Sequence, residues 1–347
     1  MQTTEPFDYT KTGVKGLVNF DTFGCNVFAE DPPTPDRLEP DVLFVRGTHS
    51  DARLRAPDGR EVRFWGFTDP NSSNPVEQTA PYPSPMIRVR QNQIVHVKLE
   101  SEHGAHTIHF HAIEPTTMND GVGHVSFEVN DTYTYQFQPA EIGTYFYHCH
   151  RNTVLHFEMG MVGPLIVDPP EGPGTLFSGG PRYQVEKIWF VDDVDPKWHD
   201  LAGGAHDVGL CGEDAGLNRW EPKYFLVNGV FAPNTMTDPK VAATVRLGQR
   251  LLVRIINAGY SVLRINMGIN AQLVGVDGRL LGRRPWNRVE PLTANTEMIL
   301  TTAGRFDFLI TPTQRGVFPV RMEFLDWIKG SVQDEGRGVV NTQIRVL

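Results

Sequence analysis

The stretch Tyr133-Thr-Tyr-Gln-Phe137 alternates aromatic and polar residues, and Gly143-Thr-Tyr-Phe-Tyr-His148 follows it with a similar composition. Alternation with a period of two places the aromatic side chains on one face, as in a half-buried β-strand. Similar short stretches recur along the 347 residues, among 33 glycines and 26 prolines. This pattern is typical of β-sandwiches rather than helical folds. We therefore predict an all-β chain.

Two histidine clusters accompany these predicted strands. They are His106-Thr-Ile-His109-Phe-His111 and, later, His148-Cys149-His150 followed by His156 and Met161. A mononuclear blue-copper centre needs two imidazoles, one thiolate and a weak axial thioether, and the clusters contain all of these ligand types. Because four imidazoles are left over, the sequence predicts a second metal site beside the first.

The spacing within each cluster predicts how the two sites are arranged. If both segments are strands, successive side chains point to opposite faces. His109 and His111 then share one face with His148 and His150, and Cys149 shares the other face with His106. This arrangement predicts two metal sites back to back, joined through the backbone of Cys149. An electron arriving at the thiolate would have a short bonded path to the second site.

The length and the loop composition predict two domains. We assign residues 1–40 to an N-terminal extension that ends in a proline-rich connector, and residues 41–170 to the first sandwich. The Pro/Gly-rich run that begins at Asp168 predicts a linker over 171–183, because these residues end strand pairing. Residues 184–347 would form the second sandwich.

A weak internal repeat relates the two halves. The stretch that begins at Ile87 resembles the one that begins at Val245. Extending this alignment places Arg264, Met267 and Ile269 at the positions of His106, His109 and His111. The second domain is therefore predicted to have the sandwich pattern without metal ligands, and to act in packing, assembly or one wall of the site.

With these motifs in view, the chain resembles the multicopper oxidases, the laccases and their relatives, over roughly residues 60–347. It is also similar to the copper nitrite reductases. The resemblance implies two tandem cupredoxin-like Greek-key β-sandwich domains. It implies that a type 1 copper is held by His106, Cys149, His156 and Met161. It further implies that half of a type 2/type 3 cluster is formed by His109, His111, His148 and His150. Asp120 would be a proton donor beside that cluster.

Two departures from the family patterns matter. Six residues separate Cys149 from His156, whereas laccases usually have four and nitrite reductases have more. Nitrite reductases resemble this pattern with an aspartate at the position of His109 and a non-ligand at that of His150. Because both positions are histidine here, the resemblance favours an oxidase over a nitrite reductase.

The resemblance leaves several functions open. In the first, single electrons from a small-molecule or metal-ion donor enter at the type 1 copper and pass through Cys149 to a second copper site that reduces dioxygen. The alternatives are a nitrite reductase-like enzyme with one type 2 copper, and a non-enzymatic electron-transfer or copper-binding protein. A zinc site is less favoured, because structural zinc needs neither Met161 nor two opposite sites.

The histidine count suggests an oligomer. By resemblance a trinuclear cluster needs about eight histidines, and the clusters offer four. His199 and His206 lie in an irregular Asp/Gly-rich stretch and are predicted to be ordinary surface or loop residues. The segment from Asp195 to Asn218 is predicted to be solvated rather than to cover a site. A homotrimer is the favoured assembly, with a face-to-face dimer or a hetero-complex as alternatives.

Charge and composition limit the partners and the compartment. The net charge of −9 argues against nucleic acid and anionic membrane surfaces. No apolar run approaches the length of a membrane span. The first residues lack the pattern of a signal peptide, so the protein is either cytoplasmic or exported with its signal already removed. Cys25 and Cys211 could form a disulfide if it is exported, or be two buried thiols.

Overall fold

The structure is a computed structural model. It describes residues 39–102, 104–122, 128–200 and 219–347, together with the backbone of 18–19 and 26–29. The proline-rich connector, most of the 1–40 extension, Cys25, His206 and Cys211 lie outside the described residues.

Strands dominate the described chain, so the prediction of an all-β fold is confirmed. In chain order they are β1 Val18–Asn19, β2 Asn26–Ala29, β3 Val42–Arg55, β4 Glu61–Thr68, β5 Ile87–Arg90, β6 Val95–Glu100, β7 His109–His111, β8 Glu128–Val129, β9 Thr132–Phe137, β10 Gly143–His148, β11 Val162–Asp168, β12 Val185–Val194, β13 Tyr224–Val227, β14 Val230–Phe231, β15 Ala243–Val245, β16 Leu251–Asn257, β17 Val262–Asn266, β18 Ala271–Val276, β19 Arg279–Leu280, β20 Glu290–Leu292, β21 Glu297–Leu300, β22 Arg305–Ile310, β23 Gly316–Leu325 and β24 Val339–Val346. The helices are α1 Thr153–Glu158, α2 Pro196–His199 and the 3₁₀ turns Glu77–Thr79, Thr117–Asn119, Asn234–Met236 and Asp334–Gly336.

The first half of the chain forms two four-stranded sheets. Their strand orders are β4-β3-β6-β9 and β5-β11-β10-β7. Alternate side chains of both sheets, such as Val97, Tyr135, Tyr147 and Leu165, are fully buried in one shared core. The two sheets therefore pack face to face as a sandwich.

The second half repeats this arrangement. Its sheets have the orders β14-β13-β12-β16-β22-β18-β19, with β20 paired to β18, and β15-β24-β23-β17-β21. The parallel pairs β3/β6 and β5/β11 of the first half recur as β12/β16 and β15/β24. By strand order, the counterparts of β10 and β7 are β23 and β17, which contain neither cysteine nor histidine.

The segment between the halves packs onto the second half. The strands of the first half end at Asp168 and those of the second begin at Val185. Between them Leu176 and Tyr183 are buried in a small cluster with Leu252. The stretch predicted as a linker is therefore held against the second sandwich.

Buried ion pairs join the two halves. Arg254 of β16 donates to Thr144 Oγ1 of β10 at 2.9 Å and to Glu186 Oε1 at 2.8 Å. Arg88 of β5 bridges Asp168 at 2.6 Å and Glu186 at 2.6 Å. Because each buried charge has an opposite partner, this network fixes the second half against the strand that leads to His148.

Among the residues described, no helix has both the length and the apolar composition needed to cross a lipid bilayer.

Candidate metal centre

Strands β7 and β10 bring the two histidine clusters together. They pair antiparallel, with His109 opposite His148 and His111 opposite Phe146. Directly opposed residues in a sheet share a face, and alternation places His111 on that face as well. The predicted grouping of these three imidazoles is therefore what the structure has.

The predicted strands are shorter than expected. Strand β7 covers only His109–His111, and His106 instead forms an isolated bridge with Val129. Cys149 and His150 lie beyond the end of β10, although the Cys149 N–H still donates to the Met161 carbonyl at 3.0 Å. The prediction of continuous strands is wrong at these ends, because the backbone leaves the shared ladder to reach other partners. The side chains of His106 and Cys149 still lie together, as predicted.

Cys149 lies at the centre of the first cluster. Its Sγ is 3.3 Å from His156 Nδ1 and 3.7 Å from His106 Nδ1. All three side chains are buried. His156 arrives from α1, which follows Asn152 in the left-handed region at φ 40°. Met161 is buried in the same core as Cys149, and its N–H donates to the His156 carbonyl at 3.1 Å.

The surroundings of Cys149 fit a thiolate-binding metal. Burial raises the pKa of the thiol to about 11, so the metal-free thiol is protonated at neutral pH. A metal cation would take the place of that proton between sulfur and two imidazoles. The ring of Trp65 meets the His156 ring edge-on at 5.2 Å and closes one side of the cluster.

The second cluster joins three imidazoles and has a fourth beside them. Nitrogen atoms of His109, His111 and His148 lie within 4.8 Å of one another. The His150 ring lies 5.3 Å from the His109 ring and 5.6 Å from the His148 ring, and its Nδ1 is 3.0 Å from Thr153 Oγ1. The His150 ring is thus as near to its neighbours as the other rings are to one another, but His150 is not among the three residues whose ligand nitrogens all lie within 4.8 Å.

Backbone carbonyls orient two of these rings. His109 Nδ1 donates to the Asp120 carbonyl at 2.7 Å, and His148 Nδ1 donates to the Cys149 carbonyl at 2.8 Å. Because a carbonyl only accepts, Nδ1 carries the proton and Nε2 keeps its lone pair for a metal. The Asp120 carboxylate, the predicted proton donor, lies 3.5 Å from the same His109 Nδ1.

Burial keeps two imidazoles of the second cluster neutral. It lowers the pKa of His148 well below the ordinary value, with His109 adding to the effect. Burial is the main cause that lowers the pKa of His111 to about 3, and the charge of Arg305 is the next. These neutral imidazoles can bind a cation without first losing a proton at pH 7. The donor set therefore fits a transition metal.

Cys149 contacts both clusters. Its sulfur lies among His106 and His156, while its carbonyl accepts the hydrogen bond from the His148 ring. The predicted link between two opposite sites therefore has a hydrogen bond beside the covalent path.

A cavity of about 520 Å³ opens onto the second cluster. The first half lines it with the four histidines and with phenylalanine rings, and the second half with aromatic rings, namely Trp198, Trp220, Tyr260 and Trp327. Trp220 Nε1 donates to Asp193 Oδ2 at 3.0 Å, and the Tyr260 hydroxyl donates to the Val154 carbonyl at 2.6 Å. Because these polar atoms are already bonded to protein, the two rings present mainly carbon to the cavity.

A buried acidic cluster beneath the cavity was missed by the sequence reasoning. Glu158, Asp192, Asp193 and Asp195 are all buried. Burial raises the pKa of Glu158 and Asp192 well above the ordinary values, and the neighbouring carboxylates add to this. The clustering comes from chain packing, since Glu158 lies in α1 and the three aspartates lie in or after β12.

His199 is not the surface residue that the sequence predicted. It is buried, and its Nε2 lies 3.1 Å from Glu158 Oε1. Asp195 caps α2 by accepting from the Lys197 N–H at 3.0 Å, and Pro196 stands at the first helical position. This cap turns Trp198 and His199 inward, and the Asp-Pro pair was the signal for it. The solvated interpretation is thus wrong for this start of the segment, and residues 201–218 lie outside the described chain.

A family model described as multicopper oxidase matches residues 74–172. Residues 74–172 are therefore similar to a multicopper oxidase domain. These residues contain both clusters, from His106 to Met161. Multicopper oxidases use copper, and the two clusters are groups that could hold it.

Relatives match parts of the chain. The L-ascorbate oxidase of Cucumis sativus is 35% identical over 159 residues, which cover 43% of this chain and 24% of the relative. The copper-containing nitrite reductase of Neisseria gonorrhoeae is 30% identical over 233 residues, covering 63% and 51%. The chain therefore spans about a quarter of the first relative and half of the second.

The similarity of fold extends beyond the residues that match the family model. The crystal structure of a blue copper oxidase from Nitrosomonas europaea aligns with a TM-score of 0.65 at 23% identity, and covers 88% of this chain and 85% of that one. At this identity the likeness concerns the fold, and it includes both halves.

Proposed function

We propose that this protein is a copper-dependent oxidoreductase of the multicopper oxidase type. It takes single electrons from a small-molecule or metal-ion donor and delivers them to dioxygen, with four electrons and four protons forming two waters. One observation supports the proposal. The Cys149 sulfur lies beside imidazoles of the first cluster, and the Cys149 carbonyl accepts a hydrogen bond from His148 of the second cluster. Bound copper would supply one-electron redox chemistry at each cluster.

The ligand assignments follow the two clusters. His106, Cys149 and His156, with Met161 as the axial thioether, would hold the type 1 copper. His109, His111 and His148 would hold the second site, and His150 would join it if more than one metal ion is bound. The carbonyls of Asp120 and Cys149 keep His109 and His148 in the tautomer that binds metal.

We assign the proton supply to Asp120. Its carboxylate lies 3.5 Å from His109 Nδ1, and its side chain is about one-fifth exposed, at 21%. A carboxylate that touches both the cluster and solvent can take up protons from water and hold them beside the reacting site.

A nitrite reductase-like reaction at one type 2 copper is the second candidate. It is favoured by the grouping of His109, His111 and His148, whose ligand nitrogens lie within 4.8 Å of one another, because three ligands suffice for one catalytic metal with an open position. The nitrite reductases of Neisseria are among the relatives at 30% identity. A non-enzymatic blue-copper carrier is the remaining alternative, in which the second cluster would stay idle.

We propose that the protein works as a homo-oligomer. By family resemblance a trinuclear cluster needs about twice the histidines that this face offers, so a second copy or another subunit would have to supply the rest. The trimer stays the favoured assembly, with a face-to-face dimer and a hetero-complex as alternatives.

Copper content, measured with the oligomeric mass on the same sample, tests the proposal first. About one copper per chain would indicate a blue site alone, and about two per chain in a trimer a mononuclear second site. About two and a half per chain in a dimer would indicate one trinuclear cluster shared by two copies. A content that rises when another protein is added would indicate a hetero-complex.

Two variants then separate the clusters. Cys149→Ser should lose the visible blue band and all turnover, because it removes the thiolate. His109→Ala should keep the band and lose dioxygen reduction, because His109 belongs to the other cluster. His49→Ala, a half-buried histidine of β3 outside both clusters, is the matched control and should keep both. Full oxidase activity in His109→Ala would contradict the proposal.

A further inference from the structure

Arg305 of the second half reaches the histidine cluster of the first. It begins β22, and its side chain is buried, with only 4% exposed. Its Nε donates to the Thr144 carbonyl of β10 at 3.3 Å. Its guanidinium carbon lies 5.6 Å from the centre of the Phe146 ring, within the range of a cation–π contact.

Phe146 connects this cation to the cluster. Its ring stacks on His111 with centres 4.3 Å apart and an interplanar angle of 19°, and lies 5.5 Å from the His148 ring at 25°. Arg305, Phe146 and His111 therefore form a continuous contact, which we call the Arg305 stack. The buried Phe146 ring fills the space between the guanidinium and the His111 ring, so no water lies between them along this stack.

The charge of Arg305 is only weakly compensated. Its Nη1 donates to the Ala303 carbonyl at 2.6 Å, and Nη2 has no hydrogen-bond partner within the described chain. The nearest paired carboxylate is Asp277 at 3.5 Å, which is mostly exposed, at 57%. Arg254, by contrast, has two well-buried acidic partners. A net positive charge is thus held close to the cluster.

An arginine needed only for packing would not be built in this way. A Met or Leu side chain could fill the space beside Phe146 without the cost of burying a charge whose ion-pair partner, Asp277, is mostly exposed. The positive charge is therefore the feature that distinguishes Arg305 from an apolar residue. A nearby cation disfavours a divalent metal more than a monovalent one, because Coulomb repulsion scales with the charge of the metal.

We propose that Arg305 is a positioning residue whose charge, held against Phe146, raises the reduction potential of the metal bound by His111 and His148. The inference rests on the proposed function, because it requires a metal at the second cluster. The second half contributes no ligand at the positions of the first-half histidines. Through Arg305 it would instead act on the reaction electrostatically.

The test compares Arg305→Met with Arg305→Lys in the full chain. The midpoint potential of the second site is followed by a redox titration, and the affinity of that site for Zn²⁺, which has no redox chemistry, is measured separately. In Arg305→Met the potential should fall, and Zn²⁺ should bind more tightly by on the order of tenfold, because a repulsive unit charge is gone. Arg305→Lys keeps the charge and should stay close to the wild type in both.

Two further variants distinguish charge from packing. Arg254→Met removes a buried arginine from the same junction, but one that buried carboxylates neutralise, so it should lower stability without lowering the potential. Phe146→Leu keeps the Arg305 charge while removing the stack, and should leave the potential within the range of Arg305→Lys. The blue band of the Cys149 site and the melting temperature report whether each variant is folded.

Three results would overturn the inference. The first is weaker Zn²⁺ binding in Arg305→Met with an unchanged potential, which would make Arg305 a packing residue only. The second is an equal loss in Arg305→Lys and Arg305→Met, which would show that the charge is irrelevant. The third is a wild-type chain that loads the Cys149 site but takes no metal at the second cluster, which would overturn the proposed function along with the inference.

Discussion

The ionisation of Cys149 in the metal-free protein offers a direct check of the buried cluster. The thiol has no exposed surface, and burial raises its pKa to about 11. An exposed cysteine has a pKa of about 8.5 and would be half ionised at that pH, whereas a thiol with a pKa near 11 would be well under about 1% ionised. The absorbance of the thiolate in the ultraviolet separates these cases by two orders of magnitude.

The assay is a difference titration between wild type and Cys149→Ser. Because Cys25, Cys211 and the tyrosines are common to both proteins, their absorbance changes cancel. The remaining signal should rise only near pH 11. In the metal-loaded protein the signal should be absent, since a metal ion would already have displaced the proton.

The same shift has a consequence for stability. The pKa of the Cys149 thiol is higher in the folded than in the unfolded protein. Its contribution to the free energy of unfolding is therefore fully present below about pH 8.5 and is lost as the pH rises through 11. A shift of about two units corresponds to about 3 kcal/mol. The free energy of unfolding of the wild type, relative to Cys149→Ser, should therefore decrease by up to that amount across this window. The reasoning would be refuted if Cys149 were half ionised near pH 8.5 and the difference in free energy of unfolding did not change with pH.

Two further substitutions test the supports of the site. Gly121→Ala should destabilise the turn that holds His109 and weaken metal binding at the second cluster. Gly121 has φ +69°, and an added Cβ would lie 1.9 Å from the Ile108 carbonyl oxygen. Metal titration and thermal melting measure the two effects, and unchanged metal binding would contradict this role. Arg254→Met should lower the free energy of unfolding by about 3–5 kcal/mol, since it leaves the buried Asp307 without its arginine partner. Denaturant unfolding measures this, and adding Asp307→Asn should restore part of the loss.

Less could be predicted about the second half than about the first. Strand periodicity and the weak repeat indicated a second sandwich, and the strand order repeats in the structure. No ligand motif marked Arg305, Trp220 or Tyr260 as neighbours of the site. Arg305 and Tyr260 reach it by contacting residues more than a hundred positions away, and Trp220 packs against Tyr260. Local patterns carry no information about such contacts.

Errors also occurred at the ends of elements. Continuous strands were expected through His106 and Cys149, but each leaves its ladder for another partner. His199 was taken for a loop residue because its surroundings are rich in aspartate and glycine, yet the helix cap at Asp195 turns it into the core. The strand errors concern backbone partners outside the local stretch, whereas the Asp-Pro pair before His199 is a local signal for the cap.

The sequence by itself determined the ligand types, their pairing by strand parity and the all-β class, because alternation along a strand is a local property of the chain. Only the tertiary structure decided the neutral state of the imidazoles, the raised pKa of Cys149, the aromatic cavity and the cation against Phe146. These properties depend on burial and on the field of distant residues. The aromatic cavity and the cation also require the second sandwich to pack against β10, because that half supplies Arg305 and the aromatic rings.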